Sequence, residues 1–302
     1  MRLILIFFSL ICTTAYAKPD KEHWTTGLYF GMHQPVMLDI SNGLQRAPII
    51  GSGKVVEDPL NNSTPVDYNF LFESSLDSKP TGVKTGFTLS WDANPTHSLI
   101  FSIGAWENSL YGTQVSQLPI QQTLTPTHIA RKSITSYTEY ALGWRFNFVK
   151  FKSLSLFSNL SIHEIFDIDY KDDIVFTLNY DKPSESYHRV AVMEAQTASM
   201  LLGGLSLGLE YTTREMFSIN ISGGLLFGNK PVKLQHSQRK SDFLARDEVD
   251  LFTPFYPGDN GELTYLPEST THADFDNDNN PYQAVNFSLA GWQMLIQMSL
   301  TF

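Results

Sequence analysis

Residues 291–302 read Gly-Trp-Gln-Met-Leu-Ile-Gln-Met-Ser-Leu-Thr-Phe, with Trp292, Met294, Ile296, Met298, Leu300 and Phe302 at every second position. Gly291, Gln293, Gln297, Ser299 and Thr301 fill most of the alternate ones. Successive side chains of a strand point to opposite faces, so this stretch reads as a β-strand with one apolar face. In a soluble sandwich such a face would pack a core, but here the strand closes on Phe302 with no polar tail after it. Tilted by about 40°, the run from Trp292 to Phe302 climbs roughly 25 Å, the height of the apolar band of a membrane barrel, with an aromatic at each end.

The same period recurs upstream. Tyr140, Leu142, Trp144, Phe146 and Phe148 alternate with Glu139, Ala141, Gly143, Arg145 and Asn147. Val83, Thr85, Phe87, Leu89 and Trp91 alternate with Lys84, Gly86, Thr88, Ser90 and Asp92, so the charges of both stretches fall on the second face. Leu205 to Tyr211 and Phe217 to Phe227 repeat the pattern against Gly, Ser, Asn and Glu210, and weaker versions lie at Trp24–Met32, Leu99–Ala105 and Leu154–Ile162. Eight strands are expected, over 24–36, 82–93, 98–112, 134–149, 153–167, 196–211, 216–230 and 285–302.

The connections alternate in length. Asn94–His97, Lys150–Lys152 and Thr212–Glu215 read as tight turns, whereas 37–81, 113–133, 168–195 and 231–284 read as long polar loops rich in Asn, Asp, Ser, Pro and Gly. Short turns at one end and long loops at the other, with an even strand count, are the architecture of an antiparallel up-and-down transmembrane barrel. The chain resembles the small eight-stranded outer-membrane barrels of the OmpA, OmpX and OmpW type, and its terminal alternation through Met298 and Leu300 to Phe302 resembles their insertion signal. That resemblance covers the strands, the two ends and about half of the chain. It implies an all-β fold, outer-membrane lipid and the barrel-assembly machinery as partners, and short turns on the periplasmic side. The length is generous for eight strands, and ten- or twelve-stranded barrels are the alternative. Ile174–Tyr180 and Arg189–Val192 are the spare extended segments; with no tight turn pairing them, they read as outward extensions of neighbouring strands.

At the other end, Met1-Arg2, the apolar run Leu3–Ile11 and Ala15-Tyr16-Ala17 have the basic start, apolar middle and small residues of a secretory signal. Residues 1–17 are therefore expected to be removed during Sec-type export, leaving residues 18–302 as one barrel domain in the bacterial outer membrane. Arg2 is the one charged side chain removed, so cleavage moves the formal charge from −10 to −11. An acidic chain of this kind argues against nucleic acid as a partner. The single cysteine, Cys12, lies within the signal, so the mature chain has no disulfide or cysteine-bound metal. No later stretch approaches the roughly eighteen apolar residues of a membrane-spanning helix.

If the apolar faces meet lipid, Lys84, Asp92, Glu139, Arg145 and Glu210 point into the lumen, where a charge must be paired or hydrated. An eight-stranded lumen is narrow enough for side chains to fill. Inward glycines such as Gly86, Gly143, Gly204 and Gly208 lower that filling and leave room for Tyr29. In the last loop, Asp274, Asp276 and Asp278 recur at every second position, a weak match to a Ca²⁺ loop in which Asn279 replaces the usual glycine and Val285 the closing glutamate. Phe252, Phe255, Tyr256 and Tyr265 could form an aromatic sugar platform in the same region. Ser161, His163 and Glu164 invite a hydrolase reading, but His163 and Glu164 fall on opposite faces of one strand and cannot form a site without another partner.

No catalytic motif is recognisable and no cofactor is implied beyond that Ca²⁺ reading. The expected role is a structural or surface-binding barrel, adhesive or partner-binding through its outer loops, because loops on a rigid scaffold are where binding resides. A narrow channel or uptake barrel for a small solute is the alternative, favoured by the inward charges and glycines. Deleting Phe302 is expected to lower the yield of folded, heat-modifiable protein in outer-membrane fractions; normal insertion of the truncated chain would overturn the barrel-signal reading.

Overall fold

The computed structural model describes residues 24–45, 52–55, 66–69, 81–120, 123–213, 216–228, 231–243, 254–267 and 282–302. Eight strands within them form a ring: β1 (Trp24–Pro35), β2 (Gly82–Asn94), β3 (His97–Ile120), β4 (Thr123–Phe151), β5 (Leu154–Leu178), β6 (Tyr187–Thr213), β7 (Phe217–Phe227) and β8 (Gly291–Thr301). Each strand pairs antiparallel with the next along the chain. The ring closes where β8 pairs β1, from Thr25 opposite Thr301 to Pro35 opposite Gly291. At the seam the Phe302 amide donates to the Trp24 carbonyl at 3.0 Å. Closure leaves none of the eight with a bare edge through the ring, the condition for surrounding a sheet with hydrocarbon.

The alternation sorts side chains as period two requires. Leu28, Phe30, Phe87, Trp144, Leu160, Leu205, Ile221, Leu225, Met298 and Leu300 all stand exposed on the outer wall. Tyr29, His33, Lys84, Thr88, Glu139, Ser161 and Asn220 are buried inside it. This inverts a soluble domain: the apolar belt faces outward and runs round the ring, well beyond the few hundred Å² that a soluble monomer leaves bare.

Tyr29 crosses the interior toward the neighbouring walls. A Cβ on Gly86 or Gly104 would collide with its ring or hydroxyl, so glycine at these two positions is a packing requirement.

Two of the expected loops are corrected by the structure. Residues 113–133 and 168–195 are largely strand: β3 and β4 stay paired out to Ile120 opposite Thr123, and β5 and β6 out to Leu178 opposite Tyr187. Ile174–Leu178 and Arg189–Val192 are outward extensions of β5 and β6, not a further membrane hairpin. The period breaks at Asp167, whose φ is 50°. One residue is inserted there opposite β4, between Ser136 and Thr138. Inward positions on β5 change from odd, ending at Ile165, to even, beginning at Ile168. Such a bulge bends and twists the strand, and here it divides the barrel from its outer extension.

The described parts of the remaining two loops also carry regular structure. Segment 37–81 includes a helix, α1 (Leu38–Gln45), and a paired hairpin of Ser52–Val55 with Val66–Asn69. In 231–284, Gln235–Ser241 adds to the outer part of β6, and Phe255–Pro257, Leu263–Tyr265 and Gln283–Ala284 form a small sheet. The reason is apolar burial. Ile40 and Leu44 of α1, with Leu234, Phe255, Leu263, Phe287 and Leu289, pack against Trp106, Tyr137, Ile165, Met200, Leu202 and Leu226 from the inner wall. This core lies across the outer mouth of the ring.

Arg131 fastens α1 to the wall. Its Nε and Nη2 donate to the two Asp172 carboxylate oxygens at 2.8 and 2.7 Å, and its remaining donors reach the Leu44 carbonyl at 3.2 Å and the Gly43 carbonyl at 3.4 Å. Those carbonyls lie at the helix C-terminus, where acceptors lack intrahelical partners and a cation is favoured. Burial works against the Arg131 charge and the Asp172 carboxylate overcomes it, so its pKa is raised. Burial also pushes the adjacent Tyr170 hydroxyl well above its ordinary range. Replacing Arg131 by Met leaves Asp172 as an uncompensated buried charge and is expected to cost about 3 kcal/mol or more. Urea titration followed by proteolysis of α1 should show the loss, and Arg131→Met/Asp172→Leu should recover most of it.

Candidate functional site

Three tiers of polar side chains fill the interior. At the tight-turn end, Arg145 Nη1 meets Glu210 Oε2 at 2.7 Å, its Nε donates to Asn147 Oδ1 at 2.9 Å, and its guanidinium lies 3.9 Å above the Phe157 ring centroid. Asp92 accepts a 2.5 Å hydrogen bond from the Ser98 hydroxyl rather than joining that pair.

One tier further in, Lys84 Nζ lies 2.7 Å from Glu139 Oε1 and donates to Gln293 Oε1 at 2.9 Å. The Tyr29 hydroxyl donates to the same Glu139 oxygen at 3.2 Å. The other Glu139 oxygen faces His163 Nδ1 at 3.2 Å, and His163 Nε2 lies 2.8 Å from Ser161 Oγ. Above this tier His33 Nδ1 meets the Tyr137 hydroxyl at 2.8 Å, and Trp106 donates to the His33 carbonyl at 3.0 Å while stacking on Tyr137. There the polar interior gives way to the apolar core of the mouth.

The five inward charges thus divide into two ion pairs and a hydrogen-bonded Asp92. Lys84 and Glu139 are 1% and 2% exposed, against 10% and 20% for Arg145 and Glu210, so the first pair is the drier and the more dependent on its partner. Cavities remain among the described residues. A cavity of about 80 Å³ is lined by Tyr29, Lys84, Glu139, Asn159, Ser161 and His163 among others. A second of about 230 Å³ lies at the turn end against Asp92, Arg145, Lys150, Lys152 and Glu210. Ile100, Arg145 and Gln297 line both.

The link between Ser161, His163 and Glu139 is the feature that strand-by-strand reading misses. Ser161 and His163 share a face because they are two residues apart, while Glu164 faces outward as its position requires. The carboxylate comes instead from β4. Ala141 is opposite His163 and Glu139 opposite Ile165, which makes Glu139 the diagonal neighbour of His163. The tight turn at Lys150–Lys152 pointed to the hairpin, but a bulge between Asn147 and Val149 shifts the register by one residue below this point. Without that shift Glu139 and His163 would fall on opposite faces.

Leu300, Met298 and Phe302 of the expected insertion signal stand exposed on the outer wall. Asp274, Asp276 and Asp278 lie outside the described residues, as do residues 1–17. Among the described residues no group of three or more His, Cys, Asp or Glu side chains is placed to hold a metal. The aromatic platform is overturned in part: Phe255 and Tyr265 are buried in the core of the mouth and Tyr256 stays half-exposed, while Phe252 lies outside the described residues.

No family model matches the chain, and no curated protein does either. Among solved structures it is similar to Acinetobacter baumannii CarO2, at 9% identity and a TM-score of 0.30, over 72% of this chain and 92% of that one. It is also similar to the P. putida toluene transporter TodX, at 9% identity and a TM-score of 0.27, over 96% and 92% of the two chains.

Removing one member of the buried pair separates the two ion pairs experimentally. Lys84→Met is expected to lower the unfolding midpoint of the refolded barrel far more than Glu210→Gln does, because Glu139 is left charged in a dry interior whereas Arg145 keeps water and Asn147. Equal shifts in thermal unfolding followed by circular dichroism would show that the lumen is uniformly wet.

Proposed function

We propose that this chain is an integral outer-membrane barrel that acts as a closed scaffold, presenting the outer extensions of β3 to β6 and the segments packed on them as a binding or adhesive surface. The observation that carries the reading is the apolar core across the outer mouth. Met37, Ile40 and Leu44 from the α1 region and Phe255, Leu263 and Phe287 from the last long connection are all nearly or fully buried against inward wall residues. An aqueous path would have to pass through side chains packed like a protein interior. Below that core, the Arg145–Glu210 and Lys84–Glu139 pairs bring further side chains into the lumen. Strand extensions that continue beyond the membrane band supply a rigid base, and surface segments on such a base are well suited to binding.

The 230 Å³ cavity at the turn end favours a second reading, a small-solute barrel whose mouth core moves aside for passage. Planar-bilayer recording separates the two. The scaffold reading expects no steady conductance from protein shown to be folded by its heat-modifiable mobility, and none from Arg145→Ala. Steady conductance that changes when Arg145 is removed would replace it with the channel reading.

A further inference from the structure

We propose that Ser161 is an activated nucleophile and that Ser161, His163 and Glu139 form a hydrolytic centre inside the lumen for short-chain acyl esters entering from the tight-turn end. The geometry has the three parts such a centre needs. The nucleophile is within hydrogen-bond reach of the base, at 2.8 Å from Ser161 Oγ to His163 Nε2. The base is oriented through its other nitrogen, at 3.2 Å from His163 Nδ1 to Glu139 Oε2. The orienting carboxylate is itself held, by Lys84 at 2.7 Å and by Tyr29 at 3.2 Å. Two contacts on one carboxylate oxygen leave the other to the imidazole, which sets the tautomer with Nδ1 protonated and Nε2 free to accept.

Space is provided where the chemistry needs it. Ser161 and His163 both line the 80 Å³ cavity, which has room for a small acyl group. On β6, Gly204 faces them: a Cβ there would collide with Ser161 Oγ and crowd His163 Nε2, so the bare backbone keeps the pair intact. Asn159 lines the same cavity two residues before Ser161. Its amide Nδ2 is a neutral donor for an oxygen that gains charge in the cavity.

In the reaction, Ser161 Oγ bonds to the acyl carbon as its proton passes to His163 Nε2. The ester C–O bond breaks, and the departing alkoxide takes that proton. Water then attacks the acyl-serine, giving its proton to His163 and releasing the carboxylic acid, and Ser161 Oγ recovers a proton from His163. No oxidant, reductant or metal is required.

The test uses the full-length refolded barrel with methanesulfonyl fluoride, a reagent small enough for the cavity, in which an O–S bond forms at serine and fluoride leaves. Intact-mass and peptide mapping are expected to find one methanesulfonyl group on Ser161 and none on Ser161→Ala. Labelling should fall by about a hundredfold in His163→Ala, the scale of a lost general base. The wild-type barrel should hydrolyse ethyl acetate above the Ser161→Ala background. Ser161→Cys with methyl methanethiosulfonate reports access independently of activation. If that cysteine is modified while wild-type Ser161 is not, Ser161 is an ordinary hydroxyl in a polar network and the proposal fails. If neither reacts in barrels of wild-type gel mobility, the cavity is closed to small molecules and it fails equally.

Discussion

Backbone hydrogen bonding round a closed ring is the constraint from which the other features follow. A strand facing hydrocarbon has no water to satisfy its amides and carbonyls, so both edges of every strand must be paired. The β1–β8 seam, from Thr25 opposite Thr301 to Pro35 opposite Gly291, meets that condition for the first and last strands together. Closure then divides the side chains into two populations with opposite needs. Outward residues must be apolar over the height of the membrane band, and inward residues have to fill or hydrate a narrow tube.

The tube is filled in two different ways along its length. In the lower and middle tiers, charged and hydroxyl side chains satisfy one another, and small residues at Gly86, Gly104 and Gly204 admit the larger partners Tyr29 and His163. At the outer mouth the filling becomes apolar, with Trp106 and Tyr137 as the last wall aromatics before α1 and the late connecting segments. The bulge at Asp167 sits near this transition and re-aims β5, so that Ile168 and Tyr170 pack with the added layer. Arg131 and Asp172 belong to that upper region and join wall to helix. The two fillings answer the same problem: an empty or half-satisfied interior would be costly, and neither polar pairing nor apolar packing alone serves both ends.

Strand identity was accessible from residue order because the apolar and polar faces alternate with a period of two. The eight expected spans overlap the eight ring strands, and the turns at Asn94–His97 and Lys150–Lys152 fall at the observed hairpin ends. Strand length was read short wherever the outer wall ceased to be apolar. Beyond the membrane band, stretches such as Thr113–Gln117, with Val115 as its one apolar residue, and Arg131–Ser133, with none, carry too little apolar alternation to mark them as strand, and only continued pairing does. The late connecting segments looked like loops for a related reason. Their apolar residues are spaced irregularly, and their burial depends on a mouth formed by other strands.

The alternating residues by themselves determined the barrel, its inner and outer faces and the five charges turned inward, because those properties depend on spacing within a single strand. Tertiary structure decided which charge meets which, that the mouth is closed by an apolar core, and that the carboxylate beside His163 is Glu139 rather than its neighbour Glu164. Those relations depend on register between strands. A one-residue bulge such as that between Asn147 and Val149 shifts which residues of the two strands meet on one face, a relation set between strands rather than within either.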